Sequence, residues 1–296
     1  MSFKTFAGRI VGRLAIWLLK LVRCTNPDRA ADFTARIMRT VGPWLSEHHT
    51  GRANLARAYP EKSAAEIERI LRDVWDNLGR VAAEYAHLDR LWDYKLGQPS
   101  RIEIPQSSID RFQQLRDAGK PALMFAAHLG NWELPAVAAA AHGLHAAILY
   151  RRPNIGEVAD AVNAIRAVSM GTLVSSDSNA TFKLAIALER GTHVGMLVDQ
   201  RFSRARGAAV TFFGQQCKAN PLLAKLARQY ECPIHGTRVI RLPGKRFRIE
   251  LTEAVPPARD AAGRIDVAAT MQIITSMIEG WIREYPEQWL WLHRRW

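Results

Sequence analysis

The chain has 296 residues, of which 48% are hydrophobic, which suits one large domain or one domain with a helical extension. Lysine and arginine exceed aspartate and glutamate by 13, so we expect polyanionic partners such as anionic lipid or an acidic protein. The basic residues are spread along the chain without a nucleic-acid-binding motif, and no cysteine pair has zinc-ligand spacing, which disfavours nucleic-acid binding and a zinc site.

Residues 3–23 have the pattern of an amphipathic helix. No apolar run of about 18 residues is present, so a membrane-spanning helix is not predicted. The pattern favours a helix lying in a membrane interface, while a mitochondrial transit peptide and a helix packed on the domain remain alternatives. The apolar residues recur at helical spacing, and the basic residues lie opposite them: Phe3, Phe6, Ile10, Leu14, Trp17, Leu18 and Leu21 against Arg9, Arg13, Lys20 and Arg23.

Two further helices are predicted before residue 100, over residues 28–42 and 64–93. Ser63 is a suitable N-cap for the second, and Glu66 completes a capping box three positions later. From about residue 101, short apolar runs alternate with amphipathic stretches, which predicts an α/β layered domain with a central sheet. The predicted strands are 121–127, 145–150, 194–199, 234–240 and 246–251, and the predicted helices are 107–118, 131–141, 157–169, 178–190, 220–231 and 266–284.

These patterns divide the chain into three parts. Residues 1–25 form the interface helix, residues 26–100 a helical region, and residues 101–296 the α/β domain.

The loop after the predicted strand 121–127 carries a candidate catalytic pair. His128 and Glu133 lie five positions apart at the mouth of a buried strand, where a histidine can act as general base and a carboxylate can orient its ring. Gly130 allows close approach of backbone to a ligand, and Asn131 can cap the following helix. A structural histidine is the alternative for His128. The serine-hydrolase motif Gly-x-Ser-x-Gly is absent from the sequence.

The segment His128-Leu-Gly-Asn-Trp-Glu133 resembles the His-x4-Asp/Glu motif of glycerolipid-type acyltransferases. In its glutamate form it is similar to the bacterial lipid A late acyltransferase (lauroyl/myristoyl transferase) family. The resemblance covers roughly residues 50–296. Further matching segments follow in the expected order: Arg52–Pro60, Tyr150–Pro153, Asp199-Gln200, Phe212–Gly214 and Pro286–Trp296.

The resemblance implies a glycerolipid-acyltransferase-like layered domain with a central mixed sheet. It also suggests roles for polar residues outside the His128 loop. Arg152 matches the Arg-Pro element of the family, so it would grip a phosphate or phosphopantetheine or stabilise an oxyanion. Asp199 and Gln200 follow an apolar run, a position that commonly faces a site in α/β folds. A solvated Arg152 and a turn-capping Asp199 are the alternatives. The candidate substrate-binding residues are Arg152, Asp199, Asn131 and Gln200.

The implied function is O-acyl transfer in lipid A and lipopolysaccharide biosynthesis. A fatty acyl chain would pass from acyl-acyl carrier protein to a hydroxyl of a phosphorylated lipid A precursor, at the cytoplasmic face of the inner membrane. We expect no cofactor and no covalent intermediate. The alternatives are an acyltransferase for a lysophospholipid or glycolipid acceptor, and a non-catalytic membrane-binding module.

Overall fold

A computed structural model describes residues 17–151, 156–202 and 207–296, with no side-chain description for residues 156–162. The predicted α/β fold with a central mixed sheet is confirmed. The strands are β1 (Ile102–Glu103), β2 (Leu123–Ala126), β3 (Ala146–Tyr150), β4 (Thr172–Ser175), β5 (His193–Leu197), β6 (Ala208–Phe212), β7 (Gln215–Ala219), β8 (Ile234–Leu242) and β9 (Arg246–Ala254).

Seven strands form one sheet in the order β1-β9-β8-β2-β5-β3-β4, and β6 and β7 form a separate antiparallel hairpin. Five neighbouring strands, from β8 to β4, run parallel, whereas β9 is antiparallel to β8. All four residues of β2 are buried, as expected for a parallel strand covered on both faces. The sequence therefore shows the central strands as continuous apolar runs.

The helical region before the sheet contains α1 (Pro27–Val41), α2 (Ser46–Ala58), α3 (Ala64–Tyr85) and the short α4 (Leu88–Leu91). The predicted capping box is confirmed: Ser63 accepts from the backbone of Glu66, whose side chain accepts from the backbone of Ser63. The predicted helix 64–93 is wrong at its end, because the chain turns after Tyr85. The later helices are α5 (Gln106–Asp117), α6 (Leu134–Ala141), α7 (Gly156–Ser169), α8 (Ala180–Glu189), α9 (Leu222–Tyr230) and α10 (Val267–Glu284).

The helices cover both faces of the sheet. On one face, Leu123 and Phe125 of β2 belong to a core that includes α10, and Phe125 stacks on Trp281 at 5.6 Å between ring centroids. On the other face, Met124 joins a second core with Phe112 of α5. Alternate residues of the same strand thus enter different cores, as the two-residue repeat of a strand requires.

Two observations bear on the predicted interface helix. Residues 17–23 are helical, and the rest of the predicted 3–23 segment lies outside the described residues. Across the described part of the chain, no helix combines the length and apolar character needed to cross a membrane.

A buried ion pair joins the helical region to the sheet. Arg241 of β8 donates through both terminal nitrogens to the two carboxylate oxygens of Glu84 on α3, at 2.5 and 2.8 Å. Its Nε donates to Oδ1 of Asn77 at 2.9 Å. Glu84 is only 4% exposed, so each charge depends on the other for compensation.

We predict that Glu84→Ala lowers the free energy of unfolding by about 3–5 kcal/mol, because it leaves the Arg241 guanidinium without its counter-charge. Urea unfolding followed by circular dichroism measures the loss. The control is Lys183→Gln, which breaks an exposed pair with Asp177 and should change stability by at most about 1 kcal/mol. Equal effects of the two substitutions would contradict a structural role for the buried pair.

Candidate active site

The loop after β2 is held by the C-terminal segment of the chain. The backbone of Leu129 forms a bridge with Trp289, the carbonyl of His128 accepts from Leu290 N at 3.1 Å, and Gly130 N donates to Gln288 O at 3.0 Å. Gly130 has a φ of +56°, and a Cβ there would lie 2.5 Å from the carbonyl oxygen of Val239. Both the positive φ and the close carbonyl oxygen require glycine at this position, because any side chain there would push the loop away from β8.

His128 and Asp199 meet because β2 and β5 are parallel neighbours. Ala126 lies opposite Leu197, so the residues that follow the two strands are brought together at the same edge. Nδ1 of His128 lies 2.8 Å from Oδ1 of Asp199, and the backbone N–H of His128 donates to Oδ2 at 2.9 Å. Nε1 of Trp289 donates to the same Oδ2 at 2.7 Å.

These contacts fix the charge of Asp199 and the tautomer of His128. Burial raises the pKa of Asp199, but the charge of His128 and the hydrogen bonds to the carboxylate outweigh burial and hold that pKa below its usual range. An ionised Asp199 accepts from Nδ1–H, which leaves a lone pair on Nε2. The side-chain nitrogen of Gln200 lies 3.2 Å from Nε2.

The predicted pairing of His128 with Glu133 is wrong, because Asp199 is the carboxylate on the histidine. Glu133 lies beyond Trp132, whose ring packs beside His128 at 5.3 Å between centroids. Both oxygens of Glu133 accept from Arg166 of α7, at 3.0 and 2.5 Å. Although Glu133 is only five residues from His128, it stands at the start of a helix, and its carboxylate binds Arg166 instead.

Arg166 is a site residue that the sequence did not reveal. Burial lowers the pKa of this guanidinium, but the bonds to Glu133 outweigh burial and raise it. Its central carbon lies 5.2 Å from the ring centroid of Tyr85 and 5.5 Å from that of Tyr150, which are cation–π distances. The signal available was a single arginine within the apolar stretch of a predicted helix, which no motif singles out.

The other predicted substrate-binding residues have different positions. Asn131 is fully buried; its amide donates to Glu84 at 2.9 Å and its oxygen accepts from the backbone of Glu133 at 3.2 Å. It therefore holds the loop and is not among the residues that line the cavity, and its predicted role in substrate binding stays a prediction. Asp199 is buried against His128, whereas Gln200 is exposed to a cavity. Arg152 lies outside the described residues.

A cavity of about 370 Å³ opens beside His128 and extends along one face of the sheet. At its mouth are the polar side chains of His128, Gln200, Arg151 and Arg166. Farther along β5 it passes Gly195 and ends near His193, beneath α5, α6 and α7. The register separates His193 from Asp199 by six residues, which is roughly 20 Å at the rise of a strand. The inner lining is mainly apolar: Phe112, Met124, Ala136, Ala139, Leu144, Ala146, Ile148, Met170, Leu173 and Leu251.

The arrangement can remove a proton from a ligand at the mouth of an apolar cavity. Among the described residues, no group of three or more histidine, cysteine, aspartate or glutamate side chains is arranged to hold a metal ion. The predicted absence of a cofactor stays a prediction.

Comparison with known proteins gives the family. No curated protein matches the chain. Residues 7–296 match the model of the family described as bacterial lipid A biosynthesis acyltransferase, and the chain therefore belongs to that family of acyltransferases.

Proposed function

We propose that the protein transfers a fatty acyl chain from acyl-acyl carrier protein to a hydroxyl of a phosphorylated lipid A precursor. One observation carries the proposal: Nε2 of His128, whose Nδ1 is bonded to Asp199, lies at the mouth of a long apolar cavity. A thioester carbonyl held at this mouth, with its alkyl chain in the cavity, would present its reactive carbon to a hydroxyl next to the base. The family membership supports a lipid A precursor as acceptor.

In this mechanism His128 is the general base and Asp199 is its orienting carboxylate. The attacking hydroxyl gives its proton to Nε2 while its oxygen bonds to the thioester carbon. Asp199 holds Nδ1–H and stabilises the imidazolium that forms. Collapse of the tetrahedral intermediate breaks the carbon–sulfur bond, and the imidazolium proton passes to the departing thiolate. No enzyme-bound acyl group is needed, because a thiolate is already a good leaving group.

Arg166 and Gln200 supply donors near the reacting carbonyl. Both line the cavity, and Glu133 positions Arg166 through two hydrogen bonds. The guanidinium would stabilise negative charge on the carbonyl oxygen or bind the phosphate of the donor's pantetheine arm. Glu133 is thus a positioning residue in our proposal. Arg152 remains a candidate for the same anionic groups on the grounds of the sequence motif alone.

The surroundings of the reaction follow from charge and from the N-terminal helix. The excess of 13 cations suits an acidic carrier protein, an anionic membrane and a phosphorylated acceptor. In the described part of the predicted 3–23 helix, Trp17, Leu18 and Leu21 are exposed. We propose that the protein acts at the cytoplasmic face of the inner membrane and that this helix holds it in the interface.

The decisive experiment is mass spectrometry of lipid A from cells with and without the gene. Loss of one acyl chain on deletion, restored by the wild-type gene, is the expected result. Unchanged lipid A together with altered acylation of a lysophospholipid or glycolipid would favour the alternative acceptors. Unchanged acylation of all lipids would favour the non-catalytic alternative.

We predict that His128→Ala and Asp199→Asn each lower the rate of acyl transfer by at least about 100-fold, because the first removes the base and the second removes the charge that supports it. Glu133→Gln should lose less, since the His128–Asp199 pair survives. Rates are measured with acyl-acyl carrier protein and the purified lipid acceptor. Circular dichroism checks that each variant is folded, and a near-normal rate for folded His128→Ala would contradict the mechanism.

A second prediction concerns the length of the transferred chain. A Cβ at Gly195 would lie 2.9 Å from Cδ1 of Ile148, the flexible end of that side chain, so a larger residue can enter the cavity. Gly195→Val should shift the preferred donor to shorter acyl chains, because it narrows the cavity midway along β5. Competition between acyl donors of different length gives the preference.

The control for this shift is Gly280→Ala, at a helical position with open space around it. It should leave the preference unchanged. An unaltered preference in Gly195→Val would mean that the acyl chain does not occupy this cavity.

A further inference from the structure

Helix α1 has a second apolar face that no part of the described structure covers. Ala30, Ala31 and Ala35 are buried, with Ala30 and Ala31 packed against Ala83 of α3. Phe33, Ile37 and Val41 lie on the exposed side of the helix, and Trp44 follows in the 3-10 turn Gly42–Trp44; we define these four residues as the α1 face. Their exposed fractions are 63%, 42%, 37% and 80%.

The exposed large apolar residues are concentrated in one region of the chain. Within the described residues, eight of the eleven lie between positions 17 and 45, and the others are Leu96, Val168 and Phe182. Isolated exposed apolar residues are ordinary, whereas a concentration of this kind marks an interaction surface. The α1 face therefore differs from the rest of the described surface and has the character of an interaction surface.

The acidic and basic side chains of α1 also differ in whether they have partners within the described structure. Its acids are held in ion pairs, Asp28 with Arg101 and Asp32 with Arg80 and Lys245. Arg29 and Arg36 are exposed, and neither forms an ion pair within the described part of the chain. The outward side of the helix thus presents unpaired cations beside aromatic and aliphatic side chains, which complements an anionic surface.

The preceding helical residues 17–23 are fixed next to this surface. Arg23 donates to both carboxylate oxygens of Asp89, at 3.0 and 2.7 Å, and its carbonyl accepts from Arg90 at 3.0 Å. Only residues 24–26 separate this anchored end from α1. A membrane that receives Trp17 and Leu18 is therefore held close to the start of α1.

We propose that the α1 face docks on the surface of an anionic lipid bilayer. Phe33, Ile37 and Trp44 enter the boundary between headgroups and acyl chains, and Arg29 and Arg36 meet lipid phosphates. The surface is a second contact, in addition to the N-terminal interface helix, and two contacts fix the orientation of the domain. The inference rests on the proposed function, since the acceptor of that reaction is a membrane lipid.

The test uses the full chain carrying Phe33→Ser, Ile37→Ser and Trp44→Ser together. Sedimentation with vesicles of phosphatidylglycerol and phosphatidylcholine gives the apparent Kd. We expect it to rise by at least about tenfold, because three apolar side chains no longer enter the bilayer. The matched control, Leu96→Ser, Val168→Ser and Phe182→Ser, removes three exposed apolar residues elsewhere on the described surface and should bind like the wild type.

A second variant tests the charges without altering the apolar residues. Arg29→Gln with Arg36→Gln should weaken binding to these vesicles, reduce its dependence on salt, and leave binding to pure phosphatidylcholine unchanged. Wild-type affinity in both the triple and the double variant would overturn the proposal. Loss of binding to purified acyl carrier protein, with vesicle binding intact, would also overturn it and assign the face to that protein.

Activity separates this inference from the proposed function. The triple variant should keep wild-type acyl transfer to an acceptor dispersed in detergent and lose most transfer to an acceptor embedded in vesicles. Loss of transfer in detergent as well would overturn docking as the reason for reduced turnover. If the wild type transfers no acyl group and the triple variant still loses vesicle binding, the proposed function fails and the docking surface stands.

Discussion

The active-site region depends on the buried carboxylate of Asp199, which needs hydrogen-bond donors at the sheet edge where two strands end. Asp199 is 3% exposed, and an unpaired charge there would be costly. Its donors come from the loop after β2 and from the C-terminal segment, through His128 and Trp289. Three distant parts of the sequence must therefore come together before the carboxylate is stable. The same contacts favour a proton on Nδ1 of His128, the proposed base, so the packing that buries Asp199 also orients this ring.

The buried carboxylate of Glu84, on helix α3, is a second charge that holds the loop after β2. Glu84 accepts from Arg241 of the sheet and from Asn131 of the loop, and Asn77 donates to the carbonyls of Gly130 and Gln288 at 3.2 Å. Helix α3 thus supplies the polar partners of a loop that has little regular structure of its own. The helical region is consequently part of the framework of the site.

The sequence predicted what depends on local pattern and missed what depends on register. The apolar runs of β2 and β5 and the capping box at Ser63 are local, and their predictions are confirmed. Strand β7 of the hairpin was missed because residues 215–219 are largely polar. Helix α2 lacks an apolar repeat, since it buries polar residues such as Asn54, which donates to the carbonyl of Trp291 at 2.7 Å.

The same distinction explains the outcome at the site. His128, Asp199 and Gln200 could be singled out because they follow apolar strands. Their grouping could not, because 71 residues separate His128 from Asp199 and only the parallel pairing of β2 with β5 joins them. The nearer Glu133 suggested a local pair, yet the start of α6 directs its side chain to Arg166.

The two ion pairs at the cavity mouth have complementary electrostatic consequences. In the proposed mechanism, proton transfer to His128 creates an imidazolium, which a bare guanidinium nearby would destabilise by repulsion between like charges. Glu133 offsets the charge of Arg166, and the rings of Tyr85 and Tyr150 lie at cation–π distance from the guanidinium. Asp199 offsets the charge that appears on His128 itself. In our proposal a cation for the donor and a base for the acceptor therefore share one cavity, because each has its own carboxylate: Glu133 for Arg166 and Asp199 for His128.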